Sequence, residues 1–263
     1  MLALAVAGTL AALVLGAWLY LRYVWFYRDP VRVPPSGDDL VLSPADGKVV
    51  YIRPVEAGGV YSEKLGRRIA LAEIHKAWPA AAAGAGTQSA DGEGWIIGIY
   101  MSPLDVHFNY APVAGIVEEV LHTPARVNLP MVDLWEYVRL TYLRRAVDLF
   151  AQPFHLENER NTIFLTGRHM RLAMVEIADR FVNKITCFVR PGQAVRAGEK
   201  VSFIARGSQV DLLIFRRDVE ILVRVGQQVY GALTPVARLP ERWGDAVAEA
   251  GLPTAAGAKE EGL

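Results

Sequence analysis

The sequence predicts a mainly β protein, a barrel-sandwich-like domain with an N-terminal transmembrane helix. Three observations support this fold class: short β-type runs, two pairs of similar turn motifs, and an uncharged apolar N-terminus. The β-type runs, which Gly and Pro separate, are residues 48–53, 95–101, 162–166, 185–189 and 219–224. Several short strands with turn residues between them are typical of all-β sandwiches and barrels.

Two internal similarities predict that the domain has pseudo-repeated halves. Residues 43–50 (SPADGKVV) resemble residues 111–118 (APVAGIVE), and residues 189–195 (VRPGQAV) resemble residues 223–229 (VRVGQQV). The Gly and Pro residues of these motifs suit tight turns that lead into strands.

The N-terminus predicts a membrane anchor. Residues 1–20 carry no charged side chain, and about 20 apolar residues suffice for a helix to cross a bilayer. Aromatic residues follow, together with Arg22, Arg28 and Arg32, as expected at a membrane interface. By the positive-inside rule, the rest of the chain should lie on the cytoplasmic side of the cell membrane. A cleaved signal peptide is the alternative, but it would need a basic start and a cleavage site followed by polar sequence.

Changes in composition predict four segments along the chain. These are a transmembrane anchor at 1–24, a Pro-rich linker at 25–39, the main domain at 40–250 and a disordered tail at 251–263.

Two stretches interrupt the β pattern inside the main domain. Residues 77–94 are rich in Ala and Gly and predict a flexible loop. Residues 129–150 place apolar side chains on one face of a helix and predict an amphipathic insertion. That helix could lie on an anionic membrane surface or pack on the β-core.

Composition excludes several classes of protein and site. The 28 basic and 28 acidic residues give no net charge, so nucleic acid is not an expected partner. Cys187 is the single cysteine, so no internal disulfide can form, and we expect it to be a small buried apolar residue. The five histidines contain no His-x-His pair, and we predict no metal site.

The dipeptide Gly207-Ser208 is the most informative short feature of the main domain. A turn within this strand-like run could present the serine hydroxyl to the preceding carbonyl group. A serine hydroxyl is a weak nucleophile until a base takes its proton, and a carboxylate best orients that base. Asp46 and His107 lie in turn-rich contexts upstream and could complete such a set. Each of the three residues, taken alone, also has an ordinary structural explanation.

Six motifs in a fixed order make the set specific. They are residues 26–30 (FYRDP), 43–49 (SPADGKV), 101–107 (MSPLDVH) with 109–112 (NYAP), 157–161 (ENERN), 192–199 (GQAVRAGE) and 206–212 (RGSQVDL). The series resembles the phosphatidylserine decarboxylase proenzyme family, in particular its shorter forms related to archaetidylserine decarboxylase. The resemblance extends over about residues 25–235.

The resemblance implies a zymogen that cuts its own backbone between Gly207 and Ser208. Ser208 would attack the Gly207 carbonyl group, His107 would act as the base, and Asp46 would orient His107. The products, 1–207 and 208–263, would remain together as a heterodimer. A covalent pyruvoyl cofactor formed from Ser208 would then act as the electron sink when phosphatidylserine loses carbon dioxide to give the ethanolamine phospholipid.

Some questions stay open at this point. Arg206 and Ile214-Phe215 depart from the family pattern, and a diacyl or an archaeal ether lipid could be the substrate. Glu159 and Arg160 could form a structural ion pair or contact substrate, and homo-oligomerisation is not decided. The alternative function is a membrane-anchored barrel-sandwich adaptor or carrier without catalysis. Such proteins usually contain long paired helices or a lysine at a hairpin tip.

Overall fold

A computed structural model describes residues 1–75, 92–125, 127–141, 143, 147–180, 185–204 and 208–240. The predicted tail at 251–263 and most of the predicted loop at 77–94 lie outside the described residues. The chain begins with helix α1 (Leu2–Tyr20), which a π-helical turn (Leu21–Trp25) continues. The stretch Leu2–Trp25 is long and apolar enough to cross a membrane, and the protein buries none of its most apolar part. By length and composition, it is therefore a candidate membrane anchor.

The remainder is mainly β, which confirms the predicted class. The strands are β1 (Leu40–Leu42), β2 (Gly47–Val55), β3 (Gly59–Ser62), β4 (Arg67–Ala70), β5 (Gly94–Met101), β6 (Phe108–Tyr110), β7 (Gly115–Thr123), β8 (Arg160–Gly167), β9 (Arg171–Ala178), β10 (Ile185–Cys187), β11 (Ala194–Val195), β12 (Lys200–Ile204), β13 (Ser208–Ile214), β14 (Glu220–Ile221), β15 (Gln228–Val229) and β16 (Pro235–Arg238). The short helices are α2 (Leu71–His75), α3 (Leu134–Thr141) and α4 (Pro153–Glu157).

One large sheet organises the domain. Its eight strands run in the order β11-β7-β8-β9-β13-β5-β2-β15, and it curls into a half-barrel. Two three-stranded sheets, β10-β12-β6 and β1-β16-β14, and the β3-β4 hairpin complete the fold. Strand β13 pairs antiparallel with both β5 and β9, so it lies in the middle of the large sheet.

The two faces of the large sheet bury different hydrophobic clusters. Successive side chains on a strand point to opposite faces, so Val210 and Leu212 join one cluster and Leu213 joins the other. We call the first the Ser208 face and the second the Asp211 face, after residues of β13. The two three-stranded sheets contribute to the Ser208 cluster, and the β3-β4 hairpin, α2, α3 and α4 contribute to the Asp211 cluster.

The repeated motifs lie at the two edges of the large sheet. Val195 of β11 pairs with Gly115 of β7, and Val229 of β15 pairs with Gly47 of β2. The division of the domain into pseudo-repeated halves stays a prediction.

The predicted helix over 129–150 is wrong in extent. The described residues contain only α3 in this range, and 147–149 are not helical. Asp133 and Glu136 form a reciprocal capping box, with each side chain accepting the other residue's backbone N–H, which fixes the start of α3. Leu134 and Trp135, expected on the apolar face, are exposed. The amphipathic insertion is not confirmed.

Cys187 differs from the expectation of full burial. It is a free cysteine that is half-buried. Its thiol lies near the carbonyl oxygens of Val189 and Val201.

Candidate active site

Ser208 is the first residue of the central strand β13. It pairs with Met101 on one side and Ala178 on the other, and it is completely buried. Among the described residues, its hydroxyl donates to the thioether sulfur of Met101, at 3.2 Å, and a thioether is a weak acceptor. The hydroxyl proton is therefore held weakly in a buried position. Gly207 lies outside the described residues.

His107 lies in the turn between β5 and β6, close in space to the chain that precedes Ser208. Its backbone carbonyl accepts a hydrogen bond from the Ile204 N–H at 3.1 Å. Ser208 follows Ile204 by four positions, so their Cα atoms are at most about 14 Å apart. The fold thus brings His107 to the start of the segment that ends at Ser208.

The imidazole of His107 is buried, and within the described residues neither ring nitrogen meets the distance and angle of a hydrogen bond, although the Asp105 backbone is close enough to affect its pKa. The ring of Phe26 packs on it, with 4.0 Å between ring centroids. Burial lowers the pKa of His107 to about 3, the charge of Arg28 lowers it further, and the Asp105 backbone opposes the shift. His107 is therefore neutral at physiological pH, so one of its ring nitrogens carries a lone pair. Buried polar atoms without partners are uncommon, and a catalytic role is one explanation for them.

Asp46 is held by Arg32 and by the backbone of Gly231. Arg32 binds both carboxylate oxygens, at 2.5 and 2.9 Å, and the Gly231 N–H donates to Oδ1 at 2.7 Å. Burial lowers the pKa of Arg32, but the hydrogen bond and charge of Asp46 outweigh that effect and raise it overall. Asp46 makes no hydrogen bond to His107 in this structure, so Asp46, His107 and Ser208 are not joined into a hydrogen-bonded triad.

Comparison with known proteins decides the family. A family model described as phosphatidylserine decarboxylase matches residues 19–237. This chain belongs to the phosphatidylserine decarboxylase family.

Three relatives illustrate the match. One from Methanocaldococcus jannaschii, named as an archaetidylserine decarboxylase proenzyme, is 30% identical over 83% of this chain and 90% of its own length. Phosphatidylserine decarboxylase proenzymes from Polynucleobacter asymbioticus and Magnetococcus marinus are 28% and 27% identical. They cover 85% and 86% of this chain and 81% and 80% of their own lengths. The predictions of this family and of a carboxy-lyase are confirmed, and an adaptor or carrier is not favoured.

Glu176, a buried carboxyl group on β9, was not among the site residues predicted from the sequence. Glu176 lies on the Ser208 face, because its register partner is Val210 and that of Ser208 is Ala178. It accepts hydrogen bonds from Asn109 at 3.0 Å, from Asn161 at 2.8 Å, and from Ser202.

The environment of Glu176 is neutral. Burial raises the pKa of Glu176 to about 7, although its three hydrogen bonds lower it. No group of three or more metal-binding side chains occurs in the part of the chain that the structure describes. Asn109 and Asn161 belong to the NYAP and ENERN motifs. These motifs are the sequence signal that could have indicated the hydrogen-bonded cluster around Glu176.

The ENERN motif holds the backbone around the site. Asn158 exchanges hydrogen bonds with the backbone of Leu129 and donates to the carbonyl of Ala178, the register partner of Ser208. Arg160 is fully buried and donates to the carbonyls of Asn158, His155 and Ile74.

The alternative of a Glu159–Arg160 ion pair is wrong. Backbone carbonyls surround Arg160, while the Glu159 carboxylate lies 3.4 Å from His122. Burial lowers the pKa of Arg160 to about 10.

A second buried cluster, also missed, lies on the Asp211 face. The Tyr51 hydroxyl donates to Asp211 at 2.5 Å, and His155 Nε2 lies 2.6 Å from the other carboxylate oxygen. Gln209 donates to Tyr51 at 2.7 Å and to Asp211 at 2.8 Å. Gly98 makes this possible, because a Cβ there would lie 2.3 Å from the Tyr51 ring. The cluster fixes the residues that directly follow Ser208.

Proposed function

We propose that this protein is a pyruvoyl-dependent decarboxylase that converts phosphatidylserine to phosphatidylethanolamine after self-cleavage between Gly207 and Ser208. The observation that carries the proposal is that His107, a buried neutral imidazole, accepts a backbone hydrogen bond from Ile204, which lies four positions before the buried hydroxyl of Ser208. These groups occur in a chain of a family whose members are named as proenzymes.

Maturation would use the residues of this chain alone. His107 removes the Ser208 hydroxyl proton, and Oγ attacks the Gly207 carbonyl carbon. The peptide C–N bond breaks, an ester forms, and the freed amine takes the proton. Loss of the residue 208 Cα proton then expels the Gly207 carboxylate and leaves dehydroalanine. Water replaces its nitrogen, ammonia leaves, and residue 208 becomes a pyruvoyl group.

The surroundings of residue 208 suit such a group. Met101 and Ala178 flank it, and both are apolar and buried, so a small carbonyl-bearing residue can take the place of serine. The pyruvoyl group supplies an electron sink for the carbanion left when carbon dioxide departs. His107 is the candidate to return a proton to the substrate carbon.

Asp46 is proposed to orient His107. In this structure both of its oxygens bind Arg32. Oδ2 accepts one of these bonds and therefore retains a lone pair for a hydrogen bond from His107 when the two side chains approach. The Asp46→Asn variant should mature more slowly, because an amide binds Arg32 and a developing imidazolium less strongly.

The heterodimer prediction follows from the position of β13. After cleavage, this strand would belong to the shorter chain, while its neighbours β5 and β9 belong to the longer one. Hydrogen bonds on both sides would keep 1–207 and 208–263 together.

The candidate anchor supports a lipid substrate at the cell membrane. Phe26, directly after the apolar stretch, packs on His107, and Trp25 donates to the Leu104 carbonyl at 3.2 Å. These contacts support a site at the end of the candidate membrane helix. Arg22, Arg28 and Arg32 favour the cytoplasmic side.

Electrophoresis of the purified chain tests the proposal. We expect pieces of 207 and 56 residues, with the shorter one blocked to N-terminal sequencing. Ser208→Ala should remain one uncut, inactive chain. Ser62→Ala, which changes a buried serine of β3 on the other face, should be cut normally. An intact, unblocked chain with full activity would contradict the proposal. Carbon dioxide release from phosphatidylserine and from archaetidylserine, measured side by side, determines the lipid class.

A further inference from the structure

Arg28 is a cation fixed at the end of the candidate membrane anchor. It follows Trp25, the last residue of the apolar stretch, by three positions. Its guanidinium carbon lies 4.1 Å from the Trp25 ring centroid. The guanidinium donates to the carbonyls of Trp25 at 2.9 Å, Leu104 at 2.6 Å and Asp105 at 3.3 Å. These contacts hold it against the turn that leads to His107.

No carboxylate neutralises Arg28 in an ion pair within the described residues. Asp46 and Asp105 are close enough to raise its pKa, but both bind other donors. Arg32 holds Asp46, and Asp105 accepts from Ser102 at 2.7 and 2.8 Å and from Gln228 at 3.0 Å. Burial accordingly lowers the pKa of Arg28 overall. Its neighbour Asp29 is occupied as well, by Lys200 at 2.5 Å.

This arrangement leaves binding capacity for an anion. A guanidinium has five N–H donors, and the three carbonyl bonds occupy only part of them. Arginine binds phosphate oxygens in a bidentate manner, and its bonds to charged groups are about twice as strong as neutral ones. The phosphodiester of a phospholipid lies at the membrane boundary, which is where the apolar stretch ends.

We propose that Arg28 binds the phosphodiester of the lipid headgroup and thereby places the serine part of the substrate at His107 and residue 208. The inference rests on the proposed function and adds a binding residue to it. Phe26, two residues earlier, already contacts His107. A headgroup held by Arg28 would therefore need to extend only across this turn.

The test compares Arg28→Gln with Arg22→Gln in the full-length chain. Arg22 is a matched control, because it lies near the same boundary and stacks on Trp18 and Tyr23, each at 5.5 Å. The variants are made in the uncut Ser208→Ala chain, and glycerophosphoserine, L-serine and inorganic phosphate are titrated separately by calorimetry. Loss of one charge-assisted contact should weaken glycerophosphoserine binding about 10- to 100-fold in Arg28→Gln. Arg22→Gln should bind like its parent, and Arg28→Lys should recover part of the loss.

Three outcomes would overturn the inference. They are no binding of glycerophosphoserine to the parent chain, equal binding by Arg28→Gln, and equally tight binding of inorganic phosphate, which would indicate a simple anion site. A thermal melt of each variant shows whether it is folded. In the cleavable chain, Arg28→Gln should raise KM for phosphatidylserine with little change in kcat or in the extent of cleavage. Failure of the wild-type chain to release carbon dioxide would count against the proposed function, whereas wild-type activity with an unchanged KM in Arg28→Gln would count against the role of Arg28 alone.

Discussion

Two sets of buried polar side chains near strand β13 are hydrogen-bonded to different extents: the Asp211 cluster, and Ser208 with His107. On the Asp211 face, Asp211 accepts hydrogen bonds from Tyr51 and Gln209 and lies 2.6 Å from His155. By contrast, within the described residues the Ser208 hydroxyl donates to the thioether of Met101, and neither ring nitrogen of His107 meets the geometry of a hydrogen bond. Glu176, also on the Ser208 face, accepts three hydrogen bonds, so the contrast belongs to Ser208 and His107 and not to the whole face.

The difference separates stability from reactivity. A buried polar group without a partner costs about 1–3 kcal/mol, so a fold retains one only where something else requires it. Because side chains alternate along a strand, Ser208 and Asp211 point to opposite faces of β13. We infer that the Asp211 cluster holds β13 in register, while Ser208 and His107 remain free to react.

The largest expected effect is on the rate of self-cleavage, when His107 is changed. His107→Gln should slow self-cleavage about 10²- to 10⁴-fold, because the serine loses its base. The measurement is the uncut fraction against time after cell-free synthesis. His122→Gln, at an exposed histidine, is the control. Maturation at the normal rate in the His107 variant would remove that residue from the mechanism.

The pH profile of cleavage sharpens the same point. Because burial lowers the pKa of His107 to about 3, the imidazole remains neutral down to about pH 5. The cleavage rate should therefore be flat between about pH 5 and pH 8. A fall in the cleavage rate near pH 6.5 would indicate that the base is a histidine with the pKa of an exposed imidazole.

A change in the Asp211 cluster should reduce the stability of the fold. Asp211→Asn removes the charge that His155 and Tyr51 share and should lower the free energy of unfolding by about 3–5 kcal/mol. Chemical denaturation in detergent measures this loss. The control is Asp218→Asn, at a largely exposed carboxylate paired with Arg216, which should change it by less than about 1 kcal/mol. Equal effects in the two variants would show that burial does not distinguish these carboxylates.

Glu176 gives a smaller effect with a defined pH dependence. Its pKa rises from 4.5 to about 7 on folding, so the folded chain binds more protons between these values. Its contribution to stability is complete below about pH 4.5 and is lost as pH rises through about 7, by up to about 3 kcal/mol. Glu176→Gln should remove this loss, as measured by denaturation at several pH values. Glu220→Gln, an exposed control, should retain it.

The effect of Glu176 is the difference between the free energies of unfolding of the Glu176→Gln variant and its parent at each pH. His107 acts in the opposite direction, since the unfolded chain binds its proton between about pH 3 and pH 6.5. Identical pH slopes in Glu176→Gln and its parent would show that Glu176 titrates normally.

Local pattern predicted the strands well and the helical stretch poorly. The runs at 48–53, 95–101 and 162–166 lie inside strands β2, β5 and β8, because they are stretches rich in β-branched and aromatic residues. The runs at 185–189 and 219–224 contain the shorter strands β10 and β14. The apolar periodicity of 129–150 predicted one helix, but α3 begins only at Leu134, because the Asp133–Glu136 capping box fixes its start there. Periodicity alone carries no information about such a boundary.

The sequence by itself determined the family, the β class, the candidate anchor, and the placement of Ser208 and His107 in motifs. Only the tertiary structure showed that Arg32 binds Asp46, and that Asp211 accepts a hydrogen bond from Tyr51, 160 positions away. Motifs report residues that are neighbours in the chain. The partners of a buried charge are chosen by which strands pair and which faces close, because a charge removed from water must find its hydrogen bonds wherever the fold supplies them.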